Sequence, residues 1–179
     1  MAVVNGLSRC VSGGWRCPKP EFPFALLPSR DLLPGFHPSP PTEKVKKVDL
    51  ALLVGPGRTL VTAKWSIRAD REEQFMSDFQ AYERLESAGQ DFGYVLITNE
   101  FDAARLRAAC ERRRQNAPLF TQVVHISPAA VGVVYRDGGA EGASAVRGHI
   151  ASGRLMSLEA WLESIAANPR QTGQGVSRS

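Results

Sequence analysis

Apolar and polar positions alternate along the middle of the chain in a way that sets out its elements. Residues 48–54 form a short apolar run that stops at Gly55-Pro56-Gly57, a sequence suited to a tight turn. Residues 59–67 form a second β-rich run, and the two together predict a hairpin. From Asp70 the period changes. Phe75, Phe79, Tyr82 and Leu85 recur with the spacing of one buried helical face, and Gly89 is expected to close the helix. Residues 92–98 read as a buried strand, 101–115 as a helix and 119–126 as a further strand. Residues 131–135 are assigned a short strand, followed by a Gly/Ala-rich loop and a helix over 158–167.

The flanks are different. Pro18, Pro20, Pro23, Pro28, Pro34, Pro38, Pro40 and Pro41 leave no window for a long helix, so 1–44 is expected to be an irregular amino-terminal segment. Residues 169–179 are polar and expected to be disordered, which leaves 45–168 as the folded unit. The order strand–strand–helix–strand–helix–strand predicts an α/β fold, a mixed sheet flanked by helices.

Composition adds little. The chain has 179 residues, 43% of them hydrophobic, enough for one packed core. A net charge of +4 is compatible with an anionic partner without requiring one. Cys10, Cys17 and Cys110 are an odd number without metal-site spacing, and reduced thiols are the simpler reading. No secretory signal or membrane-length apolar run is seen, so a cytoplasmic protein is expected.

The candidate chemistry lies on the hairpin. Hydrolysis of a phosphodiester calls for a divalent cation held by carboxylates and, beside it, a cation to orient water or stabilise developing charge. Asp49 opens the first strand, and Thr62 and Lys64 share one face of the second. Alone, such a pair could be ordinary surface charge, and Thr62 stands where an acid would be usual. The residues that follow carry more weight: Thr62-Ala63-Lys64-Trp65-Ser66-Ile67-Arg68-Ala69-Asp70-Arg71, with Asp78 on the next helix.

This stretch resembles the CCGG-recognising type II restriction endonucleases of the PD-(D/E)XK kind, with a restriction-endonuclease-like fold. In that group a Ser or Thr precedes the lysine by two, and the second acid is displaced onto the following helix, here Asp78. The resemblance implies that Asp49 and Asp78 bind Mg²⁺, that Lys64 is catalytic with Thr62 beside it, and that Arg68, Asp70 and Arg71 read bases. Arginine can donate twice to guanine, and aspartate can accept from cytosine, so these side chains suit adjacent C·G pairs. It further implies double-stranded DNA as substrate, a homodimer on the two-fold site and a companion DNA methyltransferase in the host. A non-catalytic DNA-binding remnant of such an enzyme is the alternative.

Several residues have plainer readings. Asp70 with Glu73 could form a helix capping box, and Asp78 could simply flank a buried helical face. Arg112, Arg113 and Arg114 are expected to end a helix, where cations suit the dipole, with phosphate contact as the alternative. His125 is expected to be a core or edge histidine rather than a ligand, and His37 and His149 have no partner at motif spacing.

Overall fold

A computed structural model describes residues 48–54, 57–86, 92–134 and 142–167. The Pro-rich segment, Cys10, Cys17, His37, the Gly55-Pro56 turn, Gly89, Tyr135 and the polar tail lie outside the described residues.

The hairpin forms as expected. Strand β1 (Leu50–Val54) pairs antiparallel with β2 (Gly57–Lys64), Leu50 standing opposite Val61. Helix α1 (Ala69–Leu85) then returns the chain to β3 (Gly93–Thr98), which lies parallel to β2. Helix α2 (Ala103–Glu111) leads to a small antiparallel pair, β4 (Arg113–Arg114) and β5 (Ala117–Pro118), and then to β6 (Gln122–His125). Helices α3 (Pro128–Val134) and α4 (Ala143–Ala151), strand β7 (Leu155–Ser157) and helix α5 (Leu158–Ala167) complete the order. The main sheet has five strands in the order β1-β2-β3-β6-β7, with β1 alone antiparallel. The chain is therefore α/β with a mixed sheet, as the sequence predicts. No described helix is long and apolar enough to cross a membrane.

Helices cover both faces of the sheet. Leu60, Tyr94, Leu96, Val123 and Leu155 pack with Phe75, Phe79 and Tyr82 of α1 and with Leu106 of α2 and Val146 of α4. Tyr94 is the hub of this layer, its ring 5.7 Å from that of Phe79, 6.2 Å from Tyr82 and 5.0 Å from Phe120. The alternate positions Leu52, Val61, Val95 and Val124 face the other way and pack with Trp161 and Ile165 of α5.

Four expectations are corrected. Residues 131–134 are helical: Pro128 occupies the first helical position, where its missing N–H costs nothing, and only Val131 of the valines is buried. The Gly/Ala-rich loop contains α4, whose N-cap is Gly142 with φ 87°. A Cβ there would meet the Ala103 carbonyl oxygen at 3.3 Å, so glycine permits both the backbone turn and the close approach to α2. Helix α2 is shorter than 101–115, because Asp102 caps its start by accepting from the Arg105 amide at 2.9 Å and the chain leaves the helix at Arg112. Finally, α1 begins at Ala69 with Arg68 in the N-cap position and no side-chain cap bond, so the plainer reading of Asp70 and Glu73 as a capping box does not hold. Asp70 is the second helical residue, where a negative charge favours the helix dipole.

Candidate active site

Strand direction explains why Asp49 and Lys64 meet. Because β1 runs antiparallel to β2, the residue before β1 and the last residue of β2 lie at the same sheet edge. That edge is also the carboxyl end of the parallel strands β2, β3 and β6, where side chains and loops of α/β folds converge. Lys64 Nζ donates to Asp49 Oδ2 at 2.9 Å. The same oxygen accepts from the Ala63 amide at 2.8 Å and, more weakly, from the Thr62 hydroxyl at 3.4 Å. One carboxylate oxygen thus fastens the strand backbone and aims the lysine.

The side chains remain partly open to solvent, with Lys64 21% and Asp49 42% exposed. Partial burial by itself would raise the pKa of Asp49. Hydrogen bonds from Lys64 and Ala63, the Lys64 charge and the Thr62 contact outweigh it and hold the carboxyl below its ordinary range. Asp49 is therefore an anion at neutral pH, as a ligand for a hard cation must be.

Asp78 comes from α1, half-buried, one turn before Tyr82. Its charge and that of Asp49 act on the same two buried phenols. Burial raises the pKa of Tyr82, and the charges of Asp78 and Asp49 add to the rise. Burial likewise raises that of Tyr94, with Tyr82, Asp78 and Asp49 adding to it and a hydrogen bond with Thr62 opposing. Both tyrosines stay neutral at physiological pH. Reading the sequence alone treats Tyr82 and Tyr94 only as core positions. Nothing in one sequence shows that their hydroxyls reach polar groups.

Among the described residues no group of three or more His, Cys, Asp or Glu could hold a metal. Mg²⁺, however, is commonly bound through one or two carboxylates, with water and substrate phosphate completing its shell. The three hydrogen bonds that Asp49 accepts from described residues all end on Oδ2.

The segment carrying the base-reading candidates starts from the same edge. Arg68 is exposed at the N-cap of α1, and Arg71 is half-buried in its first turn. Glu100, which the sequence reading passes over, anchors this segment. It is only 7% exposed, and its carboxylate accepts from the Ile67 amide at 2.7 Å and from the Phe101 and Asp102 amides at 2.9 Å each. Arg105 stands 3.6 Å away. One buried acid therefore joins the β2–α1 connection to the β3–α2 connection.

The remaining candidates are structural. His125 has no exposure, accepts from the Ser127 amide at Nδ1 (2.9 Å) and donates from Nε2 to the Glu100 carbonyl (2.8 Å), a neutral core histidine as expected. His149 meets Glu111, distant in sequence, at 3.3 Å. Cys110 is a buried free thiol whose pKa burial pushes up to about 12. Arg113 and Arg114 do not end a helix but lie in β4. Arg114 pairs with Glu83 at 2.6 Å and covers the Phe79 ring at 4.3 Å. The β4–β5 pair sits near the amino end of β3, where the Thr121 amide bonds the Tyr94 carbonyl, on the edge opposite Lys64. No protein-family model, curated protein or solved structure matches the chain.

Proposed function

We propose that this chain is a Mg²⁺-dependent DNA endonuclease of the PD-(D/E)XK kind with a restriction-endonuclease-like fold, cutting at a site that contains CCGG. The observation that carries the reading is the 2.9 Å contact between Lys64 Nζ and Asp49 Oδ2 at the open end of the hairpin. Asp78, half-buried on α1, and Asp49 both act electrostatically on the buried Tyr82 and Tyr94, and Asp78 is the second carboxylate of this reading.

In this reading Asp49 and Asp78 would hold Mg²⁺, which supplies Lewis-acid stabilisation of phosphate charge and a more acidic water. Lys64 orients the attacking water or neutralises a non-bridging phosphate oxygen while the bond from phosphorus to the departing sugar oxygen breaks. Asp49 keeps the lysine extended toward the edge, and Thr62 holds Asp49 from beside it. Arg68, Asp70 and Arg71 lie a few residues after Lys64, so readout and hydrolysis would share one segment. A two-fold target calls for two copies of the chain, and a host methyltransferase would protect its own sites.

A second reading is a DNA-binding remnant that recognises the site without cutting it. It is favoured by the ion pair in which Lys64 and Asp49 already satisfy each other at 2.9 Å. Incubating the protein with CCGG-containing and CCGG-free duplexes, in Mg²⁺ and in EDTA, separates the readings. The endonuclease cuts only the first duplex and only with Mg²⁺. Specific binding without cutting selects the remnant, and neither binding nor cutting removes both.

A further inference from the structure

Trp65 is 74% exposed, immediately after Lys64. It is the only exposed aromatic among the described residues: Phe75, Phe79, Tyr82, Tyr94 and Phe120 are buried, and Trp161 of α5 is only 4% exposed. An indole left in water forgoes the largest apolar gain any side chain offers, so its environment distinguishes it from a core residue. The backbone beneath it is fixed. Its carbonyl accepts from the Asn99 amide at 3.1 Å, and Ile67, two residues on, is 1% exposed with its amide on Glu100. The ring is therefore held out from an anchored strand end rather than carried on a long loop.

Its neighbours indicate what it meets. Lys64 precedes it, exposed Ser66 follows, and exposed Arg68 opens the helix, so cations flank the indole on both sides along the chain. An aromatic face between cations matches a nucleic-acid strand, with phosphates on the cations and a base on the ring. A base inside an intact duplex presents only its edges to a protein; stacking on its face requires that it leave the helical stack.

We infer that Trp65 is a stacking platform for a nucleobase unstacked beside the phosphate held at Lys64, so that the preferred substrate is DNA with a frayed, mismatched or extruded base at the cut. This rests on the nuclease reading and adds a substrate class to it.

The test uses the full chain, Trp65→Ala and Trp65→Phe. Its probes are a fully paired CCGG duplex and the same duplex with one mismatch at the pair flanking CCGG, which leaves the C·G pairs intact, with Ca²⁺ replacing Mg²⁺ so that strands stay intact. Anisotropy of labelled DNA gives affinity, and intrinsic tryptophan emission reports stacking. The wild type binds the mismatched duplex more tightly than the paired one, with its emission quenched. Trp65→Ala loses roughly 5- to 150-fold in affinity for the mismatched duplex, the range expected for one base–aromatic stack. Trp65→Phe retains most of the affinity, and circular dichroism shows both variants folded. If the wild type binds and cuts DNA while Trp65→Ala binds both duplexes as tightly as it does, the inference is wrong and the nuclease reading stands. If the wild type neither binds nor cuts DNA, both fall. Self-association lost in Trp65→Ala with DNA affinity unchanged would instead assign the indole to a second copy and overturn the inference.

Discussion

Replacing Glu100 tests how the scaffold holds the site. Its carboxylate is the acceptor for three backbone amides, at 2.7, 2.9 and 2.9 Å, and the carboxylate lies within 3.6 Å of Arg105. Glu100→Ala removes all three acceptors at once. The Ile67 amide is buried and would be left without a partner, costing about 1–3 kcal/mol. The Phe101 and Asp102 amides are part-buried and can recruit water, so each contributes nearer the ordinary net value of about 0.5–1.5 kcal/mol. The sum is on the order of 2–6 kcal/mol, a large fraction of the stability of a small domain. Glu100→Gln keeps one carbonyl oxygen for the Phe101 and Asp102 amides but turns an NH₂ toward the Ile67 amide, at roughly half that cost. Urea unfolding with an unchanged denaturant slope measures the difference, and hydrogen exchange locates it at Ile67 and Phe101. A Glu100→Ala protein within about 1 kcal/mol of wild type would refute the assignment of Glu100 as the clamp between the two connections.

His125 gives stability a pH dependence. Burial lowers its pKa, against the Glu100 carbonyl and charge that favour the cation, so the folded protein binds this proton less readily than the unfolded chain. Stability is therefore full above the unfolded value near 6.5 and falls as pH drops below it, by at most about 1.4 kcal/mol per unit, and His125→Gln should flatten that step in thermal scans across pH 7 to 5. Arg114→Ala breaks the Glu83 pair and uncovers Phe79, costing about 1 kcal/mol in denaturant unfolding. Because β4 lies on the edge away from Lys64, the salt dependence of DNA binding stays unchanged; a slope reduced by about 0.9 would mean that Arg114 does contact a phosphate.

The sequence is most informative where periodicity is long and turns are marked. Phe75, Phe79 and Tyr82 repeat over a helix long enough to be unmistakable, and the β1–β2 hairpin follows from two apolar runs separated by the sequence Gly55-Pro56-Gly57. Short elements carry too few residues for a period. Leu155–Ser157 is a three-residue strand that exists because β6 offers it a parallel partner, a tertiary fact with no local signature. Val131, Val133 and Val134 have β propensity, yet Pro128 starts a helix there and packing against the sheet decides the outcome. In the site, Asp49, Thr62 and Lys64 could be placed together because hairpin pairing is local. Glu100 could not, since its bond to Ile67 spans β3 and α1 and depends on how two separate connections meet. The hydroxyls of Tyr82 and Tyr94 are hidden for the same reason.

The account depends above all on Lys64 acting in chemistry rather than in folding. Its ion pair with Asp49 is partly solvated, and such pairs contribute no more than about 1 kcal/mol. Removing a group that stabilises transition-state charge costs about 10²–10³ in rate. Single-turnover cleavage of a CCGG duplex by Lys64→Met, with urea unfolding on the same sample, sets the two quantities side by side. The account predicts that rate loss with stability within about 1 kcal/mol of wild type. Cleavage at nearly the wild-type rate by Lys64→Met would contradict it.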